Sequence, residues 1–130
     1  MLGVEHPVTV RFPSMRGYVM DALESLADLG LQARTWGVAT FDPPHYDDLW
    51  VNIALLYDDT QVLPEPAGAL GDVLLPADVD TLALLGSLLT PLLDAHRHQG
   101  SAAILADARW PAVVAAASAA LTAMKGNALA

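Results

Sequence analysis

The sequence predicts an all-α fold, a single-domain bundle of five or six helices, and three observations support that prediction. Alanine and leucine dominate the 130 residues and β-branched residues are few, a composition that favours helix over sheet. Apolar residues recur at helical spacing in several separate segments. The longest segment, residues 78–100, is leucine-rich and has polar residues at both ends. We therefore expect it to be the central helix around which the others pack.

The first 30 residues predict an extended leader followed by an amphipathic helix. Within the leader, residues 1–13, Val8, Val10 and Phe12 alternate with Thr9 and Arg11, which is typical of a short edge strand or an extended arm. Ser14 is a suitable N-cap for the helix that follows, and Gly30 is placed to end it. The apolar face predicted for this helix consists of Met15, Val19, Ala22, Leu23 and Leu26. The polar face opposite consists of Arg16, Asp21, Glu24 and Ser25.

A short helical turn over residues 31–36 and a longer helix are expected next. Asp42 followed by Pro43 has the pattern of an N-cap and a first helical residue. The helix that begins there has the clearest amphipathic pattern in the chain, with apolar residues at Tyr46, Leu49, Trp50, Ile53, Ala54 and Tyr57.

Residues 58–76 are predicted to be irregular because prolines and glycines interrupt them. Their short apolar runs, residues 62–63 and 73–75, either pair as a small β-hairpin or pin the loop to the core. Loops of this length are uncommon in small domains and are often functional.

The predicted central helix is expected to be buried on most sides. Its apolar surface covers more than half of the circumference, whereas a surface helix shows a narrower stripe. Pro91 predicts either a kink or a division into two shorter helices. A membrane span is not expected, because the uninterrupted apolar core is about 12 residues long and a span needs about 20. The apolar positions are Leu82, Leu84, Leu85, Leu88, Leu89, Leu92, Leu93 and His96.

Two helices are predicted after the central one. Ser101 and Asp107 are suitable N-caps, and Pro111 falls in the first turn of the second helix, where its missing N–H costs little. Residues 127–130 are expected to be a frayed tail. The apolar face of the last helix is predicted to consist of Trp110, Val113, Val114, Ala117, Leu121 and Met124. Trp36, Trp50 and Trp110 are expected to be core anchors.

The composition limits the classes of partner. Fifteen acidic residues against 6 basic ones give a formal net charge of −9, which repels phosphate backbones and anionic membranes. We therefore expect neither a nucleic acid nor a membrane as a partner. The acidity favours a basic protein partner, or it only keeps an apolar domain soluble. Cysteine is absent, which excludes disulfides and thiol nucleophiles. The first residues lack the pattern of a signal peptide, so a cytoplasmic location is expected.

One group of residues is a candidate metal or acid–base site. His45, Asp47 and Asp48 lie at the start of the third predicted helix, and Asp58 and Asp59 lie just after its end. The rise of a helix separates the two groups by roughly 15 Å, so they cannot share an ion without a partner element. Capping of the helix start explains the first two carboxylates without a metal. No phosphate loop, nucleophile motif or spaced metal-ligand set is present, so we expect no cofactor and no catalytic residue.

Three blocks of sequence support a family resemblance: VMDALESLADLGLQARTW, LLYDDTQVL together with GDVL, and LADARWPAVV. They cover most of the chain and are most recognisable at residues 56–60 and at Trp110–Pro111. In these blocks the chain resembles a family of small uncharacterised bacterial proteins, common in actinobacteria. That family has no established activity, so the resemblance assigns no catalytic residue.

The net charge and the missing catalytic motif lead to one main hypothesis and two alternatives. We expect a non-enzymatic domain that presents an acidic face to a protein partner, and immunity to a basic toxin is one version of that function. The first alternative is a small metal-binding or hydrolytic enzyme built on the His/Asp group. The second is a homodimer that associates through the alanine-rich last helix.

Overall fold

The computed structural model describes residues 9–36 and 48–127. Within these two ranges the chain forms α-helices and no β-strand, so the predicted all-α class is confirmed. A π-helical turn, Leu55–Asp59, follows the third helix, and two short 3₁₀ turns, Pro66–Ala69 and Pro76–Asp78, precede the fourth. The α-helices are α1 Pro13–Leu26, α2 Leu29–Thr35, α3 Leu49–Ala54, α4 Val79–Ala95, α5 Ser101–Leu105 and α6 Trp110–Gly126.

The alanine-rich α6 occupies the middle of the bundle, because it packs against both α1 and α4. Ala116, Ala117 and Ala120 are at most 5% exposed, and their small side chains allow the neighbouring helices to approach closely. Trp110 and Met124 fill the two ends of the same buried face. The predicted apolar face of the last helix is therefore confirmed, and it includes two alanines that the spacing did not single out.

The leucine-rich α4 lies on one side of the bundle, and the prediction that it is buried on most sides is wrong. Leu82, Leu85, Leu89 and Leu92 are inaccessible to solvent, but Leu84 is 53% exposed. Leu88 and Leu93 are partly buried against the core, so the outward-facing side of α4 is open to solvent at Leu84. The helix runs unbroken through Pro91 and ends at Ala95, so the alternative of two helices is also wrong.

The segment Pro76–Ala95 is, among the described residues, the one helical stretch with the length and apolar composition that could cross a membrane. Its most apolar face lies in the core of the bundle against α6. Burial covers 33% of the most apolar window, so packing inside the protein accounts for part of that composition.

A buried arginine joins α1 to the start of α4 and the end of α6. Arg16 is 3% exposed and forms an ion pair with the fully buried Asp78. Its guanidinium also donates to the main-chain oxygens of Val73, Met124 and Asn127 at 3.4, 3.2 and 3.1 Å. The prediction that Arg16 lies on the polar face of the first helix is wrong, because these acceptors satisfy its donors inside the protein.

Both oxygens of the Asp78 carboxylate accept hydrogen bonds. Asp78 accepts hydrogen bonds from the main-chain N–H of Leu75 at 2.7 Å and from Nδ2 of Asn127 at 2.9 Å, besides those from Arg16. Burial by itself would raise the pKa of Asp78. The hydrogen bonds, that from Arg16 above all, outweigh burial and lower the pKa below its usual value.

The predicted apolar face of α1 is confirmed, but its predicted cap is wrong. Val19, Ala22, Leu23 and Leu26 are at most 1% exposed. The helix begins at Pro13, so the residue expected to be the N-cap lies inside the first turn. Proline is well suited to that first position, because its N–H would have no helical partner there.

The start of α2 and the start of α3 are each capped by an aspartate. Asp28 accepts from the main-chain N–H of Leu31 at 2.9 Å, and Asp48 accepts from that of Val51 at the same distance. Gly30, predicted to end the first helix, lies inside α2 instead. The start predicted at Asp42–Pro43 lies outside the described residues.

The last two helices start one residue or more away from their predicted caps. Gly100 is the N-cap of α5, so Ser101 is the first helical residue. Arg109 is the N-cap of α6, and Asp107 contributes by accepting a hydrogen bond from its main-chain N–H at 2.9 Å.

Two of the three tryptophans are core anchors. Trp36 and Trp110 are 3% and 2% exposed and pack edge to face with ring centroids 6.3 Å apart. Nε1 of Trp110 donates to Oε1 of the buried Gln32 at 2.9 Å. Trp50 is 41% exposed, so the prediction that it belongs to the core is wrong.

The loop between the π-helical turn and α4 is pinned to the core and does not form a hairpin. Its five predicted apolar residues are at most 5% exposed. Gly71 turns the chain with a φ of 86°, a left-handed conformation that glycine adopts readily. The main-chain N–H groups of Arg11 and Phe12 donate to the oxygens of Gly71 and Asp72 at 2.9 and 2.7 Å, so residues 11–12 lie along this loop.

Candidate functional site

Backbone irregularities mark the end of α3. Residues Leu55–Asp59 form a π-helical turn, and Thr60 closes it by donating from its N–H and its Oγ1 to the oxygen of Leu55 at 2.9 and 2.8 Å. Gln61 then takes a φ of 56°, which is uncommon for a residue other than glycine. Single π-helical turns and residues in sparsely populated conformations are both frequent at functional sites.

A cleft of about 610 Å³ lies beside this turn, within the size range of ligand-binding sites. The start of α1, the π-helical turn and the loop after it form its walls. Three carboxylates line it, those of Asp59, Glu65 and Asp72, together with the aromatic rings of Phe12 and Tyr57. We call this concave surface the acidic cleft.

The acidic cleft is suited to a cationic group with an apolar stem. Among the described residues that line it, none is basic. Arg11 lies at the rim, where a guanidinium nitrogen is 3.9 Å from Asp72 and the guanidinium carbon is 5.4 Å from the ring centroid of Phe12. The Arg11 side chain is 72% exposed, and ion pairs of that kind are weak, so the cleft keeps its negative character.

Tyr57 separates the acidic cleft from a second, smaller one. Its hydroxyl lies 2.7 Å from Oγ1 of Thr90 on α4. Burial raises the pKa of Tyr57, the hydrogen bond with Thr90 opposes that effect, and the charge of Asp94 adds to it. The hydroxyl is therefore protonated at neutral pH. The second cleft, of about 360 Å³, lies between α3 and α4, with Asp58 on its wall.

Residues 10–130 match the family described as Domain of unknown function (DUF7945). The chain belongs to this family. The predicted resemblance to an uncharacterised family is thereby confirmed. The comparisons with curated proteins and with solved structures gave no match. Since the DUF7945 description assigns no activity, function has to be argued from the site itself.

The matched region of the DUF7945 domain includes every residue that lines the acidic cleft. It also includes the five candidates predicted from the sequence. His45 and Asp47 lie outside the described residues. Asp48 caps α3, and Asp59 lines the acidic cleft, whereas its neighbour Asp58 lines the second cleft.

The candidates that are described do not converge on one point. Within residues 9–36 and 48–127, no three histidine, aspartate or glutamate side chains are close enough to hold a metal ion together. Asp58 and Asp59 diverge because adjacent residues on a helical turn point in different directions. The metal or acid–base site therefore stays a prediction that depends on His45 and Asp47.

Sequence reasoning missed two of the three carboxylates of the acidic cleft. Glu65 stands between two prolines and Asp72 follows a glycine, so both look like ordinary loop residues. Their position in a long irregular stretch was the available signal, because such loops often carry function. Only the folded path of the loop brings them to the same surface as Asp59.

Proposed function

We propose that this protein is a non-enzymatic binding domain that holds a basic segment of a partner protein in its acidic cleft. The observation that supports this most directly is the meeting of Asp59, Glu65 and Asp72 on one concave surface with no basic residue in its described lining. An immunity protein that neutralises a basic toxin is one version of such a function.

The charge of the whole chain supports the same proposal. A formal net charge of −9 attracts a cationic partner over a distance, and the cleft gives that partner a defined place to dock. The rings of Phe12 and Tyr57 can pack against the aliphatic stem of a lysine or arginine whose head group meets the carboxylates. Attraction of this kind weakens as salt screens the charges.

The hydroxyl groups of the acidic cleft support binding over catalysis. The Thr60 hydroxyl donates to the main-chain oxygen of Leu55, and the Tyr57 hydroxyl is paired with that of Thr90. A nucleophilic hydroxyl needs a base within hydrogen-bonding distance to accept its proton. Neither of these hydroxyls has a histidine or carboxylate as its hydrogen-bond partner.

Titration calorimetry with synthetic peptides tests the proposal. We expect lysine- and arginine-rich peptides to bind, a glutamate-rich peptide of equal length not to bind, and affinity to fall between about 50 mM and about 300 mM salt. The triple variant Asp59→Asn, Glu65→Gln, Asp72→Asn should bind the basic peptides about tenfold more weakly or worse.

The matched control removes the same charge from exposed positions outside the cleft. The variant Asp21→Asn, Glu24→Gln, Asp80→Asn changes three exposed carboxylates on α1 and α4. It should keep most of the wild-type affinity. Equal losses in the two triple variants would show that net charge alone attracts the peptide. Absence of binding by the wild-type protein would remove the proposal altogether.

A further inference from the structure

The turns on either side of α5 contain a polar cluster that is separate from the acidic cleft. Nε2 of His96, the C-cap of α4, lies 2.8 Å from Oδ2 of Asp107, and its Nδ1 contacts Oε1 of Gln99. Asp107 also accepts from the main-chain N–H, Nε and a terminal nitrogen of Arg109 at 2.9, 3.0 and 2.9 Å. The side chains of His96 and Asp107 are only 18% and 15% exposed.

Both ring nitrogens of His96 therefore face acceptor oxygens, and only the imidazolium can donate from both at once. The contact with Gln99 raises the pKa of His96 most, and the contact with Asp107 raises it further, while burial and, to a smaller extent, the Arg109 charge oppose them. Arg109 and His96 hold the pKa of Asp107 far below its usual value, so Asp107 remains a carboxylate.

The other ionisable groups near His96 on its own segment have different roles. Asp94 and Arg97 pair with each other at 3.2 Å, and their side chains are 63% and 68% exposed. His98 is exposed. Across the turn, the charged groups that act on His96 are those of Asp107 and Arg109.

The pair of His96 and Asp107 brackets α5. A helix of five residues is too short to be stable alone, so its position depends on the contacts that anchor its two ends. Ala102 and Leu105 of α5 form one wall of a groove of about 390 Å³, and Trp36 and Trp110 contribute to its lining. We call this groove the tryptophan groove.

We propose that His96 and Asp107 form a pH-sensitive clasp, which holds α5 and its wall of the tryptophan groove in place while His96 is protonated. When His96 loses its proton, the charge attraction to Asp107 and one of the two donated hydrogen bonds disappear. Because folding raises the pKa of His96, the clasp contributes fully below the usual histidine pKa of 6.5. Its contribution is lost as the pH rises through the raised value.

Amide hydrogen exchange of residues 101–107, corrected for the intrinsic dependence on pH, measures the clasp directly. Between about pH 5.5 and about pH 8.5, protection of α5 should fall by about two- to fivefold, the range expected for a partly exposed charged pair. A Trp50→Phe variant removes the exposed tryptophan, so that fluorescence reports Trp36 and Trp110. Their emission should change over the same pH interval.

Two histidine variants identify the titrating group. His96→Gln should abolish the pH step in exchange, and His98→Gln should retain it. A flat wild-type profile, a step that persists in His96→Gln, or a step that disappears in His98→Gln would each overturn the proposal.

A third variant covers the case in which His96→Gln fails to fold. Gln99→Ala removes one acceptor and leaves Asp107 in place. The step should then move to lower pH, since the contact with Gln99 raises the pKa of His96 most. Loss of the step while His96 and Asp107 are both in place would overturn the proposal.

Discussion

At the scale of single residues, the Arg16–Asp78 ion pair has the largest consequence for the fold. Both side chains are buried, and their hydrogen bonds join α1 to the loop before α4 and to the end of α6. Removing one member of a buried pair leaves an uncompensated charge in a region of low dielectric constant. The cost is therefore far larger than the loss of an exposed pair.

Arg16→Met should lower the free energy of unfolding by about 3–5 kcal/mol, because the Asp78 carboxylate stays buried without its partner. Urea denaturation at neutral pH measures this change. Arg97→Met is the matched control, since it removes an arginine that is 68% exposed and paired with Asp94. It should change stability by less than about 1 kcal/mol. Equal effects of the two variants would contradict the role assigned to Arg16.

Asp78 also predicts a dependence of stability on pH. Its pKa is lowered by folding from an ordinary value of 3.8, so its stabilising contribution is complete above that value and is lost as pH falls through the folded pKa. Asp78→Asn cannot titrate. The stability difference between wild type and Asp78→Asn should be constant from about pH 7 to about pH 4 and shrink below that. A difference that changes near neutral pH would contradict this assignment.

Removal of Arg11 tests whether a basic peptide binds in the acidic cleft. Arg11→Gln takes away the cation at the rim, so a basic peptide should bind about two- to fivefold more tightly at low salt. Arg34→Gln removes the same charge from an exposed position in the last turn of α2 and should have a smaller effect. Calorimetry with one peptide compares the two variants. Unchanged affinity in Arg11→Gln would indicate that the peptide binds away from this rim.

At the scale of elements, α4 is positioned by close contact with the loop before it. A Cβ atom added at Gly86 would lie 3.1 Å from the main-chain oxygen of Pro64 and 3.2 Å from Cδ2 of Leu63. The buried Leu63 has little room to move, since it is 1% exposed. Glycine therefore allows this close approach, and an alanine at the same point would require the loop to shift by a few tenths of an ångström.

Two glycine-to-alanine variants should have effects of opposite sign. Gly86→Ala should destabilise the protein by about 1–3 kcal/mol, because the added methyl group overpacks the contact with the loop. Gly17→Ala, on an exposed turn of α1 with no atom near the new Cβ, should stabilise it by up to about 1 kcal/mol. Thermal and urea denaturation report both changes. Stabilisation by Gly86→Ala would show that the loop shifts to accommodate the added methyl group at little energetic cost.

At the scale of the whole molecule, charge is unevenly distributed between the interior and the surface. The excess of acidic over basic residues gives a net charge of −9, yet Arg16 and Asp78, the buried charged groups among the described residues, neutralise each other. Asp59, Glu65 and Asp72, by contrast, line the acidic cleft, where the exposed Arg11 is the neighbouring cation. Under the proposed function, that surface would select the partner, while the buried ion pair contributes to stability.

The enzyme alternative is also tested on the whole protein. We expect no stoichiometric metal, because Asp48 caps α3 and Asp58 and Asp59 line different clefts. Elemental analysis of the purified protein and a thermal-shift screen over divalent ions check this. One bound ion per chain would favour the site predicted at His45 and Asp47.

Light scattering tests the homodimer alternative. Three alanines of α6 already pack inside the chain and are not available to a second copy, so we expect a monomer. A stable dimer would indicate that two copies associate through the outer face of α6.

The sequence alone determined the helical class, the apolar faces of α1 and α6, and the burial of Trp36 and Trp110. Helical periodicity and composition are local properties, so they can be read without knowing what each helix contacts. The same reasoning placed Arg16 on the polar face of α1. A charged side chain can be buried on the apolar face only where a carboxylate from a distant part of the chain pairs with it, and local periodicity does not reveal that carboxylate.

Only the tertiary structure decided which helix is central and where the carboxylates gather. Leucines predict that a helix is apolar, but the small alanines of α6 are what allow two helices to approach it at once. Asp59, Glu65 and Asp72 come to line one cleft through the path of an irregular loop, which no periodic pattern encodes. Contacts between residues far apart in sequence depend on packing geometry, and that geometry exists only in the folded chain.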